Sequence, residues 1–361
     1  MILRKELTRL KRLYSALLAL VLAALLCTGA SAASADGFNN FQAVNTYSED
    51  SFGDVSGWYA PHVAAVYSYG LMQGTVDKET GERMFSPNGH ITLAETVTLA
   101  ARIHSTYTGD GFVFVQGTPW YQTYVDYAVE NGILSADDEY DSYLQSVSRA
   151  QFADIMAHAL PESAYTEINL VEQGAIPDVD MSQKYSFSVY TLYRAGVLTG
   201  GEHAAFRPDD CITRAEAAAV AGRIIDPSLR QSLQLYAPLY VGFTKDDANE
   251  GAVVITGLTM SAENGTCYLT MDFDSQKSRF LSIMNASESL YILQVVVIDP
   301  GVDHFTFAFP IETLEEIYTS SPNPANERLT MEFYASGDPS SVMDRFYISI
   351  DQFEKYFKKS A

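Results

Sequence analysis

The feature that most constrains this sequence is a stretch of about fourteen residues that occurs three times, beginning at positions 58, 120 and 184. The copies align without a gap, as WYAPHVAAVYSYGL, WYQTYVDYAVENGI and KYSFSVYTLYRAGV. Each has an aromatic residue second, valine sixth and glycine thirteenth. The apolar spacing predicts a helix, and the glycine stands where the chain leaves a helix with a positive φ. Repeats of this kind bury their apolar faces against one another.

A second element follows in each unit, in the stretches ITLAETVTLAARI, VSRAQFADIMAHAL and ITRAEAAAVAGRII. In all three, a hydroxyl residue is followed three positions later by glutamate or glutamine. The pairs are Thr92 with Glu95, Ser148 with Gln151, and Thr213 with Glu216. This spacing is that of a capping box, in which the two side chains bond reciprocally to backbone amides at a helix start. The sequence therefore predicts a second, alanine-rich helix in every unit.

The residue after each capping hydroxyl is arginine in two units, as Arg149 and Arg214, and leucine in the first, as Leu93. The helix dipole favours acidic residues in the first turn, so an arginine gains nothing from it there. Two interpretations are open. The guanidinium binds an external anion together with nearby backbone amides, or it is solvated or paired with an acid of the protein.

Together these motifs resemble the S-layer homology family, whose repeats combine an F-x-D-V and W-Y start, a glycine-aliphatic helix end, an F-x-P loop and a T-R-A-E box. Unit one matches in FGDV (52–55), WY (58–59), FSP (85–87) and ITLAE (91–95); unit three matches in IPDV (176–179), FRP (206–208) and ITRAE (212–216). Unit two lacks a clear aspartate and the F-x-P loop. The resemblance covers about residues 51–228 and assigns repeats to 51–108, 109–170 and 171–230.

This resemblance implies an all-α, pseudo-threefold domain whose grooves bind secondary cell wall polysaccharide attached to peptidoglycan, often carrying pyruvate ketals. The matching ligand positions are Asp54, Trp58, Gly74, Glu95, Trp120, Arg149, Gln151, Asp178, Gly200, Arg214 and Glu216. A guanidinium can hold the ketal carboxylate at two points, and a tryptophan can pack on the sugar ring. Leu93 departs from the pattern, which weakens its groove, and Lys184 replaces tryptophan in unit three.

The first 35 residues have the order of a secretory signal peptide: a basic stretch, an apolar run over 17–26 and small residues before position 36. We therefore expect a secreted protein of the bacterial cell wall or surface, with no membrane insertion after cleavage. The formal net charge is −22. Because the first 35 residues contain five basic residues and one acid, the mature chain carries −26. This excess of acid argues against nucleic acid as a partner.

Residues 236–361 have a different composition, rich in β-branched and aromatic residues between turn clusters. Candidate strands are 251–260, 266–274, 289–299, 304–311, 328–336 and 344–350, and two short helices are predicted at 311–318 and 351–359. The pattern predicts an all-β, sandwich-like domain. We expect this domain to be displayed as an interaction or structural module, with a protein partner that the sequence does not identify.

No catalytic, metal or cofactor site is predicted in the chain. Cys267 is predicted to face inward on a strand, and His304 is the single histidine after position 203. Acidic side chains are numerous but give no specific pair, and the histidines lack ligand spacing. Whether Cys211 and Cys267 are bridged stays open. The expected function is non-catalytic wall anchoring; a wall-anchored hydrolase or other surface enzyme and an S-layer lattice subunit are the alternatives.

Overall fold

The computed structural model describes residues 37–245, 254–274, 282–286, 295–297, 303–320, 328–334 and 342–357. The predicted signal peptide lies outside these residues. No helix within them is both long and apolar enough to cross a membrane. We refer to residues 37–230 as the helical half and to residues 234–357 as the β half.

The helical half contains a pair of helices for each of the three repeats. The helices are α1 (Ala60–Ser68), α2 (Leu93–Thr108), α3 (Gln122–Glu130), α4 (Arg149–Ala157), α5 (Ser186–Arg194) and α6 (Arg214–Ile225). The predicted capping boxes are confirmed at the starts of α2, α4 and α6. The predicted positive φ at the glycine after each first helix is also confirmed, with 71° at Gly70, 70° at Gly132 and 73° at Gly196.

Three backbone hydrogen bonds close a ring at the centre of the helical half. The amide of Ile91 donates to the carbonyl of Ile212, that of Ile212 to Val147, and that of Val147 to Ile91. Each of these residues lies two positions before the first residue of a second helix. The ring therefore brings the starts of α2, α4 and α6 together around a pseudo-threefold axis.

The helices pack in the same cyclic order. The second helix of each repeat lies against the first helix of the next, as α2 with α3, α4 with α5, and α6 with α1. The repeated valines Val63, Val125 and Val189 are buried in these contacts. Full burial of such a side chain contributes about 1.5–3 kcal/mol. The three repeats therefore share one continuous core, and no repeat has a separate core of its own.

The β half contains two five-stranded sheets. The first has the order β10-β7-β6-β4-β3, with β3 (Leu170–Val171), β4 (Gln234–Tyr240), β6 (Ile255–Glu263), β7 (Thr266–Phe273) and β10 (His304–Pro310). The second has the order β5-β12-β11-β8-β9, with β5 (Thr244–Lys245), β8 (Ser282–Ala286), β9 (Val295–Val297), β11 (Arg328–Tyr334) and β12 (Val342–Ser349). All described pairings are antiparallel except that of β3 with β4.

Alternate residues of these strands form one buried cluster that joins the two sheets, with Leu269 and Phe307 from the first sheet and Phe346 and Ile348 from the second. The predicted helices near 311 and 351 are present as α7 (Ile311–Ser320) and, after a 3-10 turn at Ile350–Phe353, α8 (Glu354–Phe357). Both add apolar side chains to the cluster. Cys267 is buried within it, as predicted.

The predicted fold class, an all-α domain followed by an all-β domain, is wrong. The helical half includes a hairpin of β1 (Thr75–Val76) and β2 (Arg83–Met84), and it supplies β3 to the first sheet of the β half. The hairpin forms because the Asp77 carboxylate accepts the amides of Glu79 and Thr80, which closes a tight turn. The β half in turn relies on α7 and α8 for its core.

The two halves are joined at β3. Leu170 and Val171 pair in parallel with Gln234 and Leu235, and the Asn169 amide oxygen accepts the amide of Leu233. From the far end of the β half, the Lys355 ammonium lies 3.4 Å from the Glu172 carboxylate. Backbone pairing and an ion pair therefore link segments that are far apart in the sequence.

Candidate functional site

The arginines of the capping boxes reach across from one repeat to another. Arg149 Nε donates to the Phe206 carbonyl at 2.7 Å, and its Nη1 lies 2.7 Å from Glu216 Oε1. Arg214 Nε donates to the Phe85 carbonyl at 2.9 Å, and its Nη1 lies 3.1 Å from Glu95 Oε1. Each guanidinium therefore joins the capping box of its own repeat to the capping box and F-x-P loop of the following repeat.

These contacts bear on the two interpretations of the arginines. Their guanidinium groups are paired with acids of the protein, and only 9% of the Arg149 side chain and 16% of the Arg214 side chain are exposed. The Nε and Nη1 atoms of each arginine make these contacts, and the Nη2 atom makes no hydrogen bond with any residue that the structure describes. An external carboxylate would therefore meet a guanidinium that is already paired with a carboxylate of the protein.

The two aspartates of the family pattern also make internal contacts. Asp54 accepts the amides of Phe85 and Ser86 at 2.7 Å each. Asp178 accepts the amides of Phe206 and Arg207 at 2.8 and 2.6 Å. These carboxylates hold the F-x-P loop of their repeat against its first segment, so they shape a groove wall through the backbone.

Gly74 and Gly200 occupy equivalent tight approaches. Their φ angles are 67° and 73°. A Cβ added to Gly74 would lie 2.5 Å from the carbonyl oxygen of Met84, and one on Gly200 would lie 2.7 Å from that of Ala204. No side chain fits at either position, so both glycines set the path of the loop beside the groove.

A groove of about 400 Å³ lies beside the ring, and we call it groove one. Four of the predicted ligand positions line it: Gly74 and Glu95 from the first repeat, Trp120 from the second and Arg214 from the third. The other predicted positions do not line this groove: Asp54, Trp58, Arg149, Gln151, Asp178, Gly200 and Glu216. All three repeats therefore contribute to a single concave surface.

Groove one also contains residues that the sequence patterns did not single out. They include His90, Thr98 and Arg102, while Phe85 and Ser86 of the F-x-P loop also line the groove although they were not among the predicted ligand positions. The Arg102 guanidinium donates to the Tyr124 hydroxyl at 3.0 Å. The Thr98 hydroxyl is buried and has no hydrogen-bond partner among the described residues. Thr98 and Arg102 lie three and seven residues after Glu95 on the helix that the capping box starts. This spacing places them on the same helix face as Glu95, and it is the sequence signal that could have identified them.

The tryptophans of the W-Y pairs are exposed apolar surface. Trp120 is 38% exposed at the edge of groove one, and Trp58 is 61% exposed. Each packs edge-on against the tyrosine that follows it. In the third repeat Lys184 stands at this position and lies 2.6 Å from Asp138. That contact supports reading Lys184 as a paired surface lysine.

The described part of the chain contains no group of three or more His, Cys, Asp or Glu side chains that could hold a metal ion. Cys211 and Cys267 are both free, Cys211 being exposed and Cys267 buried. Burial raises the pKa of the Cys267 thiol to about 12, so it is not poised as a nucleophile.

Comparisons with known proteins agree with the geometry of the helical half. The chain is similar to an amylopullulanase of Thermoanaerobacterium thermosulfurigenes, 24% identical over 186 residues, which are 50% of this chain and 10% of that protein. It is also similar to the exoglucanase XynX of Acetivibrio thermocellus, 23% identical over 184 residues, which are 49% of this chain and 16% of that protein. The chain thus spans a small fraction of the length of these curated relatives.

The family model of the S-layer homology domain matches residues 51–97 and 175–218, which lie in the first and third repeats. The second repeat, outside these matches, is the one that lacks the aspartate and the F-x-P loop. Its helices α3 and α4 nevertheless complete the ring and the cyclic packing. The chain therefore contains S-layer homology domains, and these indicate a protein anchored at the cell surface.

Proposed function

We propose that this protein is secreted and is held non-covalently on the bacterial cell wall by its S-layer homology repeats, which bind a pyruvylated secondary cell wall polysaccharide. The observation that carries the proposal is groove one, where Gly74, Glu95, Trp120 and Arg214 converge from three repeats. The β half is then displayed outward as an interaction or structural module, and the protein is not an enzyme.

The chemistry of groove one suits an acidic sugar. The exposed indole of Trp120 offers a flat apolar face for the C–H surface of a sugar ring. Arg102 and Arg214 supply two cations against the single carboxylate of Glu95. A pyruvate ketal places one carboxylate on a sugar ring, which such a balance of charge can accept.

The net charge of −22 opposes an anionic polymer at long range. At physiological ionic strength this repulsion is screened over about 8 Å, whereas the groove arginines act in direct contact. Several grooves on one molecule would also bind one repeating polymer with avidity. Local cations and repetition therefore support binding despite the acidic surface.

The alternative of a wall-anchored hydrolase takes its motivation from the names of the two relatives, which are enzymes. Their similarity to this chain is confined to the S-layer homology region, so it brings no catalytic residues with it. Activity staining of the purified chain on peptidoglycan separates the two functions. A cleared band would replace the non-catalytic proposal.

A sedimentation assay tests the anchor. The mature chain, residues 36–361, is mixed with Gram-positive walls carrying pyruvylated polymer, before and after hydrofluoric acid extraction of that polymer. We expect the chain to sediment with intact walls and to stay in solution with extracted walls. Equal binding to both would assign the interaction to another wall component.

Paired tryptophan variants locate the binding surface. Trp120→Ala removes the aromatic face of groove one, and we expect it to weaken wall binding about tenfold. Trp58→Ala removes a tryptophan that is more exposed than Trp120 and does not line groove one, and it serves as the control. A larger loss from Trp58→Ala would place the ligand outside groove one.

A further inference from the structure

A second concave surface lies between the helical half and the first sheet of the β half. It has a volume of about 310 Å³, and we call it the junction cleft. One wall is the outer face of β6, β7 and β10, and the other is formed by Ala175, Pro177, His203 and Ala204 of the third repeat. This volume lies at the lower end of the range of small-molecule sites.

The sheet wall is polar because of strand alternation. In β6 and β7 the residues directed into the core alternate with Ser261, Glu263, Tyr268 and Thr270, which face outward. The antiparallel register places Ser261 opposite Tyr268 and Thr270 opposite Thr306. Hydroxyl groups from three neighbouring strands therefore lie side by side on one surface.

Two polar groups of this wall form no hydrogen bond with the residues that the structure describes. The Glu263 carboxylate is half-buried, yet it makes no hydrogen bond or ion pair with any residue that the structure describes. Burial raises the pKa of this carboxyl, and the nearby His203 only partly opposes that effect. The Tyr268 hydroxyl is also unpaired within the described residues, while the ring contacts His203 edge-on at 5.4 Å. A half-buried carboxylate without a protein partner must be satisfied by water or by a ligand, so Glu263 is available to accept hydrogen bonds from a ligand in the cleft.

The opposite wall holds its polar group in a constrained conformation. His203 and Ala204 have φ angles of 52° and 59°, in the left-handed region that non-glycine residues rarely adopt. The Ala204 carbonyl accepts the Tyr193 hydroxyl at 3.2 Å, which anchors the loop to α5. The loop therefore presents the imidazole of His203 to Tyr268 and Glu263 from a fixed position.

The lining chemistry narrows the ligand class. The cleft has no lysine or arginine among its lining residues, so apart from His203 no basic side chain of the lining is present to neutralise a phosphate or carboxylate ligand. Glu263 is the single carboxylate of the lining, whereas glycosidic cleavage by paired carboxylates needs two. The lining offers several hydroxyl groups, one carboxylate acceptor and the aromatic ring of Tyr268, with Pro177 and Pro238 beside them. Such a lining matches a ligand that has many hydroxyl groups and an apolar ring face.

We infer that the junction cleft is a binding site for a neutral sugar unit. Glu263 accepts hydrogen bonds from the sugar hydroxyls, Thr306 and Thr270 exchange hydrogen bonds with them, and Tyr268 packs on the ring. The site is separate from groove one and shares no lining residue with it. It does not depend on wall binding by the repeats.

Saturation-transfer NMR on the mature chain tests this site, with N,N′-diacetylchitobiose as a neutral probe, glucuronic acid as an anionic probe and glucosamine as a cationic probe. We expect a saturable signal with the neutral disaccharide and a much weaker one with glucuronic acid. Saturation by glucosamine alone would assign the cleft to amines and overturn the inference. So would an absence of binding by all three probes.

Variants distinguish the cleft from groove one. Glu263→Ala should weaken disaccharide binding about tenfold, as expected for the loss of a hydrogen bond to a charged group. Thr306→Val should weaken it several-fold, while Thr266→Val, on the same sheet but outside the cleft, should leave it unchanged. A loss of disaccharide binding in Trp120→Ala, with Glu263→Ala unaffected, would move the sugar to groove one and overturn the inference.

Discussion

The three junctions between repeats differ at one pair of positions. Arg149 of repeat two is paired with Glu216 of repeat three, and Arg214 of repeat three is paired with Glu95 of repeat one. By the same cyclic order Leu93 of repeat one corresponds to the arginine that would face Gln151 of repeat two. The junction of repeats one and two therefore lacks both the cation and the anion.

This difference shows how a pseudo-symmetric ring tolerates divergence. A leucine facing a glutamate would leave a partly buried carboxylate unpaired, which is costly. A neutral glutamine avoids that cost, and Gln151 still accepts the amide of Ser148 as a helix cap. Leu93 is buried and adds apolar contact instead. Leu93 and Gln151, the two departures from the family pattern at these positions, therefore belong to the same junction and match each other.

The largest expected effect is a loss of stability when the missing arginine is introduced without its acidic partner. Leu93→Arg buries a guanidinium with no acid opposite and should lower the free energy of unfolding by about 3–5 kcal/mol. Adding Gln151→Glu supplies the acid, and the double variant should recover about 2 kcal/mol. Urea denaturation of the wild type, both single variants and the double variant gives the coupling energy.

The free energy of unfolding that the double variant regains over Leu93→Arg decides whether positions 93 and 151 interact. Additive losses in the double variant would mean that positions 93 and 151 do not face each other. In that case the correspondence drawn from the other two junctions would not extend to the third.

A smaller effect separates the two existing ion pairs. Arg149→Met should lower the free energy of unfolding by about 2–3 kcal/mol, because the Arg149 side chain is more buried than that of Arg214 and its partner Glu216 is more buried than Glu95. Arg214→Met should cost about 1 kcal/mol, since exposure to solvent weakens the pair. Methionine keeps the apolar stem of the side chain in both variants.

Thermal or urea unfolding at neutral pH ranks these two variants. Equal losses would show that burial does not govern the strength of the pairs. A greater loss from Arg214→Met would reverse the assignment of the stronger junction.

The smallest effect is a difference in acid sensitivity between junctions. Burial acts to raise the pKa of Glu216, but hydrogen bonds from Thr213 and the charges of Arg149 and Arg207 outweigh it, and the pKa lies below its ordinary value of about 4.5. A carboxyl with a depressed folded-state pKa contributes stability above the unfolded pKa and loses it as pH falls through the folded value. Gln151 does not titrate, so the junction of repeats one and two has no such dependence.

Unfolding free energies between pH 6 and pH 3 check this expectation. Glu216→Gln should start lower and fall less steeply with acid than the wild type. Gln151→Asn, the neutral control, should run parallel to the wild type. A Glu216→Gln curve as steep as that of the wild type would mean that other carboxyls carry the acid response.

The helices of the repeats could be predicted because their signals are local. Thr92 and Glu95, or Thr213 and Glu216, start a helix through contacts three residues apart. The partner of Arg149 could not be predicted, because Glu216 lies 67 residues away and only the ring of backbone bonds brings it close. The same non-local contact left both interpretations of the arginines open at the sequence level.

The errors in fold class have a similar origin. Strand β3 has only two residues, and it forms because β4 lies beside it, not because Leu170–Val171 has a strong pattern. Strand β4 contains Pro238, which hides a strand from periodicity, and its register shifts between Tyr236 and Leu239. The junction cleft was also beyond prediction, since its two walls come from different halves of the chain.

The pairing of β3 with β4 determines where tension enters the helical half. If the repeats hold the wall and a load acts on the β half, part of that load passes from Leu235 to the Glu172 amide and the β3 backbone. Those bonds connect the segment at the start of the third repeat with the strand that follows its end. That part of the load does not pass through α5 and α6, and the strand pair bears it as shear.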